Sequence, residues 1–297
     1  MQSPAAAPHL LSHSCYQHLF VASRPGLLHS SAMARQKLGQ HFLGDPAWHK
    51  RILETLPRAS DEVWLEIGAG HGEMTRLLAG KGRRVVSIET DARLAENLRQ
   101  RIESHPADWP SVEIALGDVL QLDLGKLAGG GRFRVYGNLP YYITSPILHH
   151  LFGYADQIAS IHIVIQFEVA ARIAARPGRR EYGYLSAACQ FYTRPEIVLR
   201  IPPGAFRPPP RVTSALVRMT LPGERASLGV RDELGFLEFV QTCFGQKRKT
   251  LRNNLRALAP DDRIYAALEA GALRPDARAE QLSLAQFSAL FMAISGK

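Results

Sequence analysis

Asn138-Leu139-Pro140-Tyr141 places a side-chain amide, a proline carbonyl and an aromatic ring within four residues. That set suits a flat base carrying an exocyclic amine. The amine of an adenine is a poor nucleophile because its lone pair is delocalised into the ring. Two oxygen acceptors on its N–H groups pull the nitrogen towards tetrahedral geometry and localise that pair. The Asn138 side-chain carbonyl and the Pro140 backbone carbonyl are the acceptors at hand; proline fixes φ and cannot donate, which keeps its carbonyl aimed. Tyr141 offers a π-face on which an extruded base stacks. A proline turn with a buried tyrosine is the plainer reading of the same residues.

A second constellation precedes it in the chain. Glu66-Ile67-Gly68-Ala69-Gly70-His71-Gly72 ends an apolar run and leads into a helical pattern. Glycines there let the backbone turn tightly and approach a ligand with no Cβ in the way. The spacing is G-x-G-x-G, and Glu73 stands where a dinucleotide site has glycine, which disfavours a pyrophosphate-binding NAD fold. The next strand ends in Glu89, a carboxylate able to accept from both hydroxyls of a ribose. Asp118 follows the third strand, where it can accept from an adenine amino group. Singly, Glu89 reads as a helix-capping acid and Asp118 as a turn residue. Three successive strands ending in Gly68 and Gly70, Glu89 and Asp118 point to S-adenosyl-L-methionine as cofactor. Joined to the two acceptors, the chemistry is methyl transfer to an adenine amine, in which catalysis is mainly positioning.

These groups need strands that end at one edge. Residues 63–67, 84–89, 112–116, 134–136 and 160–166 read as strands. Helices are predicted over 46–56, opened by Asp45 and Pro46; over 73–79; after Asp91, with Leu94, Leu98 and Ile102 on one face; and over 146–151. Such alternation predicts an α/β fold, a Rossmann-like mostly parallel sheet with helices on both faces and the ligand at the carboxyl ends of the strands. Prolines 202, 203 and 208–210 break the pattern; 214–221 alternates again, and beyond Leu221-Pro222-Gly223 the reading is helical. The predicted organisation is a methyltransferase domain over 35–222 and a small all-α domain over 223–297. Residues 1–34 hold no Asp or Glu and only Arg24 as a fixed cation. They read as a disordered extension or a mis-assigned start, with Met33 the initiator; a targeting peptide is the alternative.

The net charge of +9 is concentrated: residues 200–256 hold eleven Lys/Arg against four Asp/Glu. Such a segment favours a polyanion such as RNA. Arg248, Arg252 and Arg256 recur every four residues, so on a helix they form one cationic stripe, flanked by Lys247 and Lys249, with no acid at the partnering positions. A solvated face is the alternative. No apolar run approaches the roughly 20 residues of a membrane span, so no membrane role is expected. Cys15, Cys189 and Cys243 lack metal-ligand spacing, His149-His150 reads as packing or surface, and no metal is expected.

At several separate places the chain resembles the ribosomal RNA small-subunit adenine dimethyltransferases. Gln36-Lys37-Leu38-Gly39-Gln40-His41-Phe42-Leu43 is similar to their N-terminal motif, and Val164-Ile165-Gln166-Phe167-Glu168-Val169-Ala170 to a segment in which Phe167 replaces the usual Lys. Ala205-Phe206-Arg207-Pro208-Pro209-Pro210-Arg211-Val212 and Phe244-Gly245-Gln246-Lys247-Arg248-Lys249-Thr250-Leu251 resemble two further motifs. Leu139, between Asn and Pro, marks the family off from typical DNA adenine methyltransferases. The resemblance implies dimethylation of two adjacent adenosines near the 3′ end of small-subunit rRNA, within a pre-ribosomal small subunit; a monomer in the cytoplasm is the expectation beside it. It implies that His41 and Leu43 line the methionine end of the cofactor, that Gly68, Glu89 and Asp118 hold the rest, and that Asn138 touches both cofactor and target amine. Phe206 is implied as a second aromatic wall opposite Tyr141. Two other classes compete: an assembly factor that kept the fold and lost transfer, and a DNA or small-molecule methyltransferase. The basic C-terminal segment and Leu139 disfavour the latter.

Overall fold

The structure, a computed structural model, describes residues 41–296. The expected extension over 1–34 and the motif residues 36–40 lie outside the described residues. In chain order the elements are β1 (Phe42–Leu43), α1 (Pro46–Thr55), β2 (Ala59–Ile67), α2 (Glu73–Leu78), β3 (Gly82–Glu89), α3 (Ala92–Ser104), β4 (Val112–Leu116), α4 (Leu124–Leu127), β5 (Phe133–Asn138), α5 (Thr144–Phe152) and β6 (Ile158–Gln166). Next come α6 (Phe167–Ile173), α7 (Tyr184–Tyr192), β7 (Arg194–Ile201), β8 (Phe206–Arg207) and β9 (Ser214–Thr220). After Gly223 every regular element is helical: α8 (Arg225–Leu228), α9 (Glu233–Cys243), α10 (Leu251–Leu255), α11 (Asp261–Ala270) and α12 (Leu284–Ser295), with a short 3₁₀ turn at Ala279–Gln281.

Local chemistry starts the helices where the sequence placed them. The Asp45 side chain accepts from Ala47 N at 2.9 Å, with Pro46 in the first turn, and Asp91 accepts from Arg93 N and Leu94 N. These caps satisfy amides that have no partner inside the helix.

Seven strands form one sheet in the order β4-β3-β2-β5-β6-β9-β7, and β9 runs antiparallel to both its neighbours. This is the expected fold class. Alternation along each strand covers both faces. Val63, Leu65, Ile67, Val135 and Ile163 enter one buried cluster, with α5 and α7. Trp64, Val85, Tyr136, Val164 and Leu216 enter another, with α1 and α2. Each such aliphatic side chain taken out of water stabilises by about 1.5–3 kcal/mol, so both helical layers are held mainly by burial.

The first cluster continues past residue 223. Phe191 of α7 meets Phe236 of α9 at 5.0 Å between ring centres, and Phe236 meets Phe291 of α12 at 5.7 Å. Arg225 pairs with Asp156 and with Glu233 at the same junction. Among the described residues, no helix is long and apolar enough to cross a membrane.

Register fixes the functional edge. Ile67 lies opposite both Ile88 and Gly137, and Glu89 opposite Leu116. Gly68, Glu89, Asp118 and Asn138 therefore emerge together at the carboxyl ends of four adjacent parallel strands.

Candidate active site

The three glycines of the turn after β2 all have positive φ, +80° at Gly68, +56° at Gly70 and +85° at Gly72, but they do different work. A Cβ added at Gly70 would stand 3.1 Å from the Phe42 ring, and one at Gly72 would collide with Leu98 and Trp109. Those two glycines permit packing. Gly68 is exposed, and a Cβ there would approach only the Asn138 carbonyl, at 3.8 Å. Bare backbone thus faces outward at Gly68, one van der Waals contact from the end of β5 that carries Asn138.

Glu89 is buried and braces this turn. Its Oε2 accepts from Gly70 N at 2.9 Å, while Oε1 accepts from Thr90 N at 2.8 Å and Asp91 N at 2.9 Å. A carboxylate has about four acceptor positions, so roughly one remains, on Oε2. Backbone amides thus hold most of this carboxylate, and the acceptor capacity left for the expected ribose hydroxyls is on Oε2. Asp118 is exposed; its Oδ1 takes Leu120 N at 3.0 Å, which leaves Oδ2 as an acceptor.

At the end of β5, Asn138 Nδ2 donates to the His41 carbonyl at 2.9 Å. That bond settles which way the amide points and leaves Oδ1 as the acceptor for a ligand. The Pro140 carbonyl accepts from Ile143 N at 3.2 Å and, weakly, from Thr144 Oγ1 at 3.4 Å. It is therefore not the free acceptor the sequence suggested; the Thr144 hydroxyl has to give way for an amine. Tyr141 is half-buried, its hydroxyl 2.8 Å from Ser214 Oγ and its ring 5.8 Å from that of His41. Burial raises the Tyr141 pKa, with the Ser214 bond pulling the other way. His41 Nδ1 lies 2.7 Å from the Pro208 carbonyl oxygen, tying the segment ahead of β1 to the proline loop.

Two residues implied by resemblance are placed otherwise. Leu43 and Phe206 pair across the two-stranded β1–β8 ribbon, and both side chains enter the core with Trp64, Tyr136 and Val164. Phe206 has no exposed surface. An aromatic sandwich of Phe206 and Tyr141 is not open in this arrangement, because Phe206 fills the space under its own strand. The Leu43 contribution to the site is its backbone: its carbonyl holds His49 Nε2 at 2.8 Å and so docks α1.

The structure adds two residues that sequence reasoning did not single out. Phe42 alternates away from Leu43 and packs edge-on to His71 at 4.7 Å, against the glycine turn. Glu66 lies fully buried beneath that turn, and its Oε2 accepts from Thr75 Oγ1 at 2.5 Å and Ser87 Oγ at 2.6 Å. Burial pushes the Glu66 carboxyl up to about 7, against the pull of the two hydroxyls and with a small push from Glu89. A carboxylate at an inward position of an apolar strand was the available signal.

A family profile for ribosomal RNA adenine dimethylase matches residues 31–295. The chain belongs to that family. It is 42% identical to the ribosomal RNA small subunit methyltransferase A of Acidobacterium capsulatum, over 90% of this chain and 93% of the relative. The protein of the same name from Xanthomonas campestris is 41% identical over 86% and 95%. Among solved structures, a dimethyladenosine transferase from Plasmodium falciparum superposes with a TM-score of 0.73 at 24% identity, over 84% of this chain and 96% of that one, a likeness of fold. The 23S rRNA methyltransferase ErmE gives 0.65 at 29% identity, over 86% and 99%.

As a family member the protein is an S-adenosylmethionine-dependent rRNA adenine dimethyltransferase. Its residues fit that cofactor: bare backbone at Gly68, the acceptor capacity left on Glu89 Oε2 and the Oδ2 of the exposed Asp118 offer what a nucleoside needs. Among the described residues, no group of three His, Cys, Asp or Glu is placed to hold a metal ion. His149 is buried and stacks on Tyr184 at 5.7 Å, and burial lowers its pKa to about 4.

The basic segment of this dimethyltransferase differs from the expected stripe. The helix α10 covers only Leu251–Leu255, Arg248 lies in the turn before it and Arg256 caps its end. Arg252 and Arg256 both bind Asp261 of α11, at 3.1 Å each, and Arg252 also meets Tyr265. The acid missing at helical spacing arrives from the next helix. Lys247 Nζ donates to the Arg180 carbonyl at 2.7 Å, so Arg248 and Lys249 are the members that point outward without a side-chain partner among the described residues.

Proposed function

We propose that this protein converts two adjacent adenosines near the 3′ end of small-subunit rRNA to N6,N6-dimethyladenosine, acting as a monomer on a pre-ribosomal small subunit in the cytoplasm. We place the catalytic groups at Asn138, Pro140 and Tyr141 and the cofactor contacts at Gly68, Glu89 and Asp118, with residues 35–222 as the methyltransferase domain and 223–297 as the RNA-binding one. The observation that carries the reading is the approach of Gly68 to the Asn138 carbonyl together with the His41 bond that occupies Asn138 Nδ2 and leaves Oδ1 as the acceptor. When bound, S-adenosylmethionine supplies an electrophilic methyl group. Asn138 Oδ1 accepts one N–H of the target amine, and the Pro140 carbonyl, released by Thr144, accepts the other. Both contacts orient the nitrogen lone pair, and no side chain has to remove a proton beforehand. Tyr141, held by Ser214, is the surface on which the extruded base stacks.

The test is mass spectrometry of the rRNA after undermethylated small subunits are incubated with protein and S-adenosylmethionine. Two adjacent dimethyladenosines near the 3′ end are expected. Absence of methyl incorporation sinks the enzymatic assignment. Methylation confined to large-subunit rRNA favours the second reading, which rests on the 29% identity to ErmE.

A further inference from the structure

With the Arg252 and Arg256 guanidinium groups engaged by Asp261, an RNA-binding role needs cations from elsewhere. The loop between α6 and α7 supplies them. Residues 176–181 read Arg-Pro-Gly-Arg-Arg-Glu, and Arg176, Arg179 and Arg180 are all exposed. Sixty-seven positions separate Arg180 from Lys247, so nothing in the sequence joins the two stretches. The structure joins them twice. Lys247 Nζ donates to the Arg180 carbonyl at 2.7 Å, and the buried ring of Tyr182 packs edge-on to Phe244 at 5.9 Å.

The loop is also ordered from within. Arg179 N donates to the Arg176 carbonyl at 3.2 Å, Tyr182 N to the Arg179 carbonyl at 3.1 Å, and Gly178 N to the Glu280 carbonyl at 2.7 Å. Gly178 takes φ +81°, where a side chain would be strained. Among the described residues, Arg176, Arg179, Arg180, Arg248 and Lys249 make no side-chain hydrogen bond or ion pair. The acids nearby in sequence or fold are Glu181, exposed beside Arg180, and Glu280, half-buried across the loop.

We infer that Arg176, Arg179 and Arg180 join Lys247, Arg248 and Lys249 in one composite patch that grips the phosphodiester backbone of structured RNA. The inference rests on the rRNA reading above and deepens it. Guanidinium forks without an acid partner have no internal competitor for phosphate. A loop already held by backbone bonds loses little freedom on binding. Recognition of this kind follows backbone shape rather than base identity and releases counterions, so it weakens steeply with salt.

The test uses full-length protein with Arg179 and Arg180 both changed to Ala, and in parallel both changed to Lys. Affinity for undermethylated small subunits is measured across a salt series, with cofactor affinity by calorimetry and melting temperature as controls. The alanine variant is expected to bind roughly tenfold more weakly at moderate salt, with a log–log salt slope shallower by about two. The lysine variant keeps the slope. Cofactor affinity and melting temperature stay at the wild-type value in both. Unchanged affinity and slope in the alanine variant overturn the patch, and so does a loss in the lysine variant as large as in the alanine variant. Wild-type protein that methylates small subunits while the alanine variant matches it refutes this inference alone. Wild-type protein that neither binds nor methylates them refutes the functional reading instead. Retained binding to small subunits with loss of binding to anionic vesicles assigns the patch to membranes and also overturns it.

Discussion

The end of β5 at Asn138 and the basic stretch from Lys247 to Arg256 both carry residue types suited to a nucleic acid, yet they are held by different kinds of contact. Around Asn138 the neighbours come from strand register: Gly137 lies opposite Ile67, Leu139 N donates to Val164 O, and Gly68 stands beside the Asn138 carbonyl. Around Arg252 the decisive neighbour, Asp261, comes from a separate helix whose position depends on packing of α11 against α12. In the first region a residue type at the end of a strand already implies its place. In the second, side chains that look free are neutralised by a partner outside the local pattern.

The sharpest way to break that contrast is at Asn138. If its Oδ1 is the acceptor for the target amine, Asn138→Ala lowers kcat by at least about 100-fold, the scale seen when one preorganised polar partner of a transition state is removed. Cofactor affinity by calorimetry falls far less. A variant with kcat near that of the wild type would show that the end of β5 positions nothing that reacts.

Phe206 tests the same edge from the core side. It is fully buried with Leu43, Tyr136 and Val164, so Phe206→Ala is expected to cost about 3–5 kcal/mol of stability by chemical denaturation. Tyr141→Ala, at a half-buried site bonded to Ser214, is expected to cost less stability and more turnover. The reverse ranking would return Phe206 to the ligand.

Glu66 sharpens the picture of the glycine turn. Its carboxyl is held at about 7 in the fold against an ordinary 4.5. Between those values the folded protein keeps a proton that the unfolded chain releases, so stability is greater on the acid side and falls as pH rises from about 4.5 through about 7. The loss is on the order of 3 kcal/mol, at 1.36 kcal/mol per unit. Glu66→Gln stays neutral throughout and is expected to flatten that slope in denaturant titrations at pH 5 and pH 8. An equal slope in the variant would place the titrating group elsewhere.

The parallel sheet was legible because its evidence is local: apolar runs ending in Gly68, Glu89, Asp118 and Asn138, with caps at Asp45 and Asp91. The stretch between Phe167 and Ile201 was not. In α7 the run Leu185 to Tyr192 is apolar on most sides and carries no clear helical period, since the sheet and α9 cover it together. β7 contains Pro195, which argues against an inner strand, and it is tolerated because β7 lies at the sheet edge. At the site the missing information was of the same sort. No spacing rule shows that backbone amides occupy most of Glu89, that β8 turns Phe206 inward, or that Arg200 lies over the ring of Phe167, 4.1 Å away.

Asp261 gives the smallest effect and bears most directly on the contrast between the two regions. It accepts from Arg252 and Arg256, and the Arg256 bond is the first cause that holds its carboxyl below the ordinary range. Asp261→Asn removes the charge that competes with phosphate for both guanidinium groups. The variant is expected to bind small subunits a few-fold more tightly at low salt, with a salt slope steeper by up to about two, one for each arginine released. Tighter binding means that the expected stripe exists as a latent surface, masked by one acid. Unchanged binding means that Arg252 and Arg256 serve to join α10 to α11, and that phosphate contacts lie with the exposed cations before the helix.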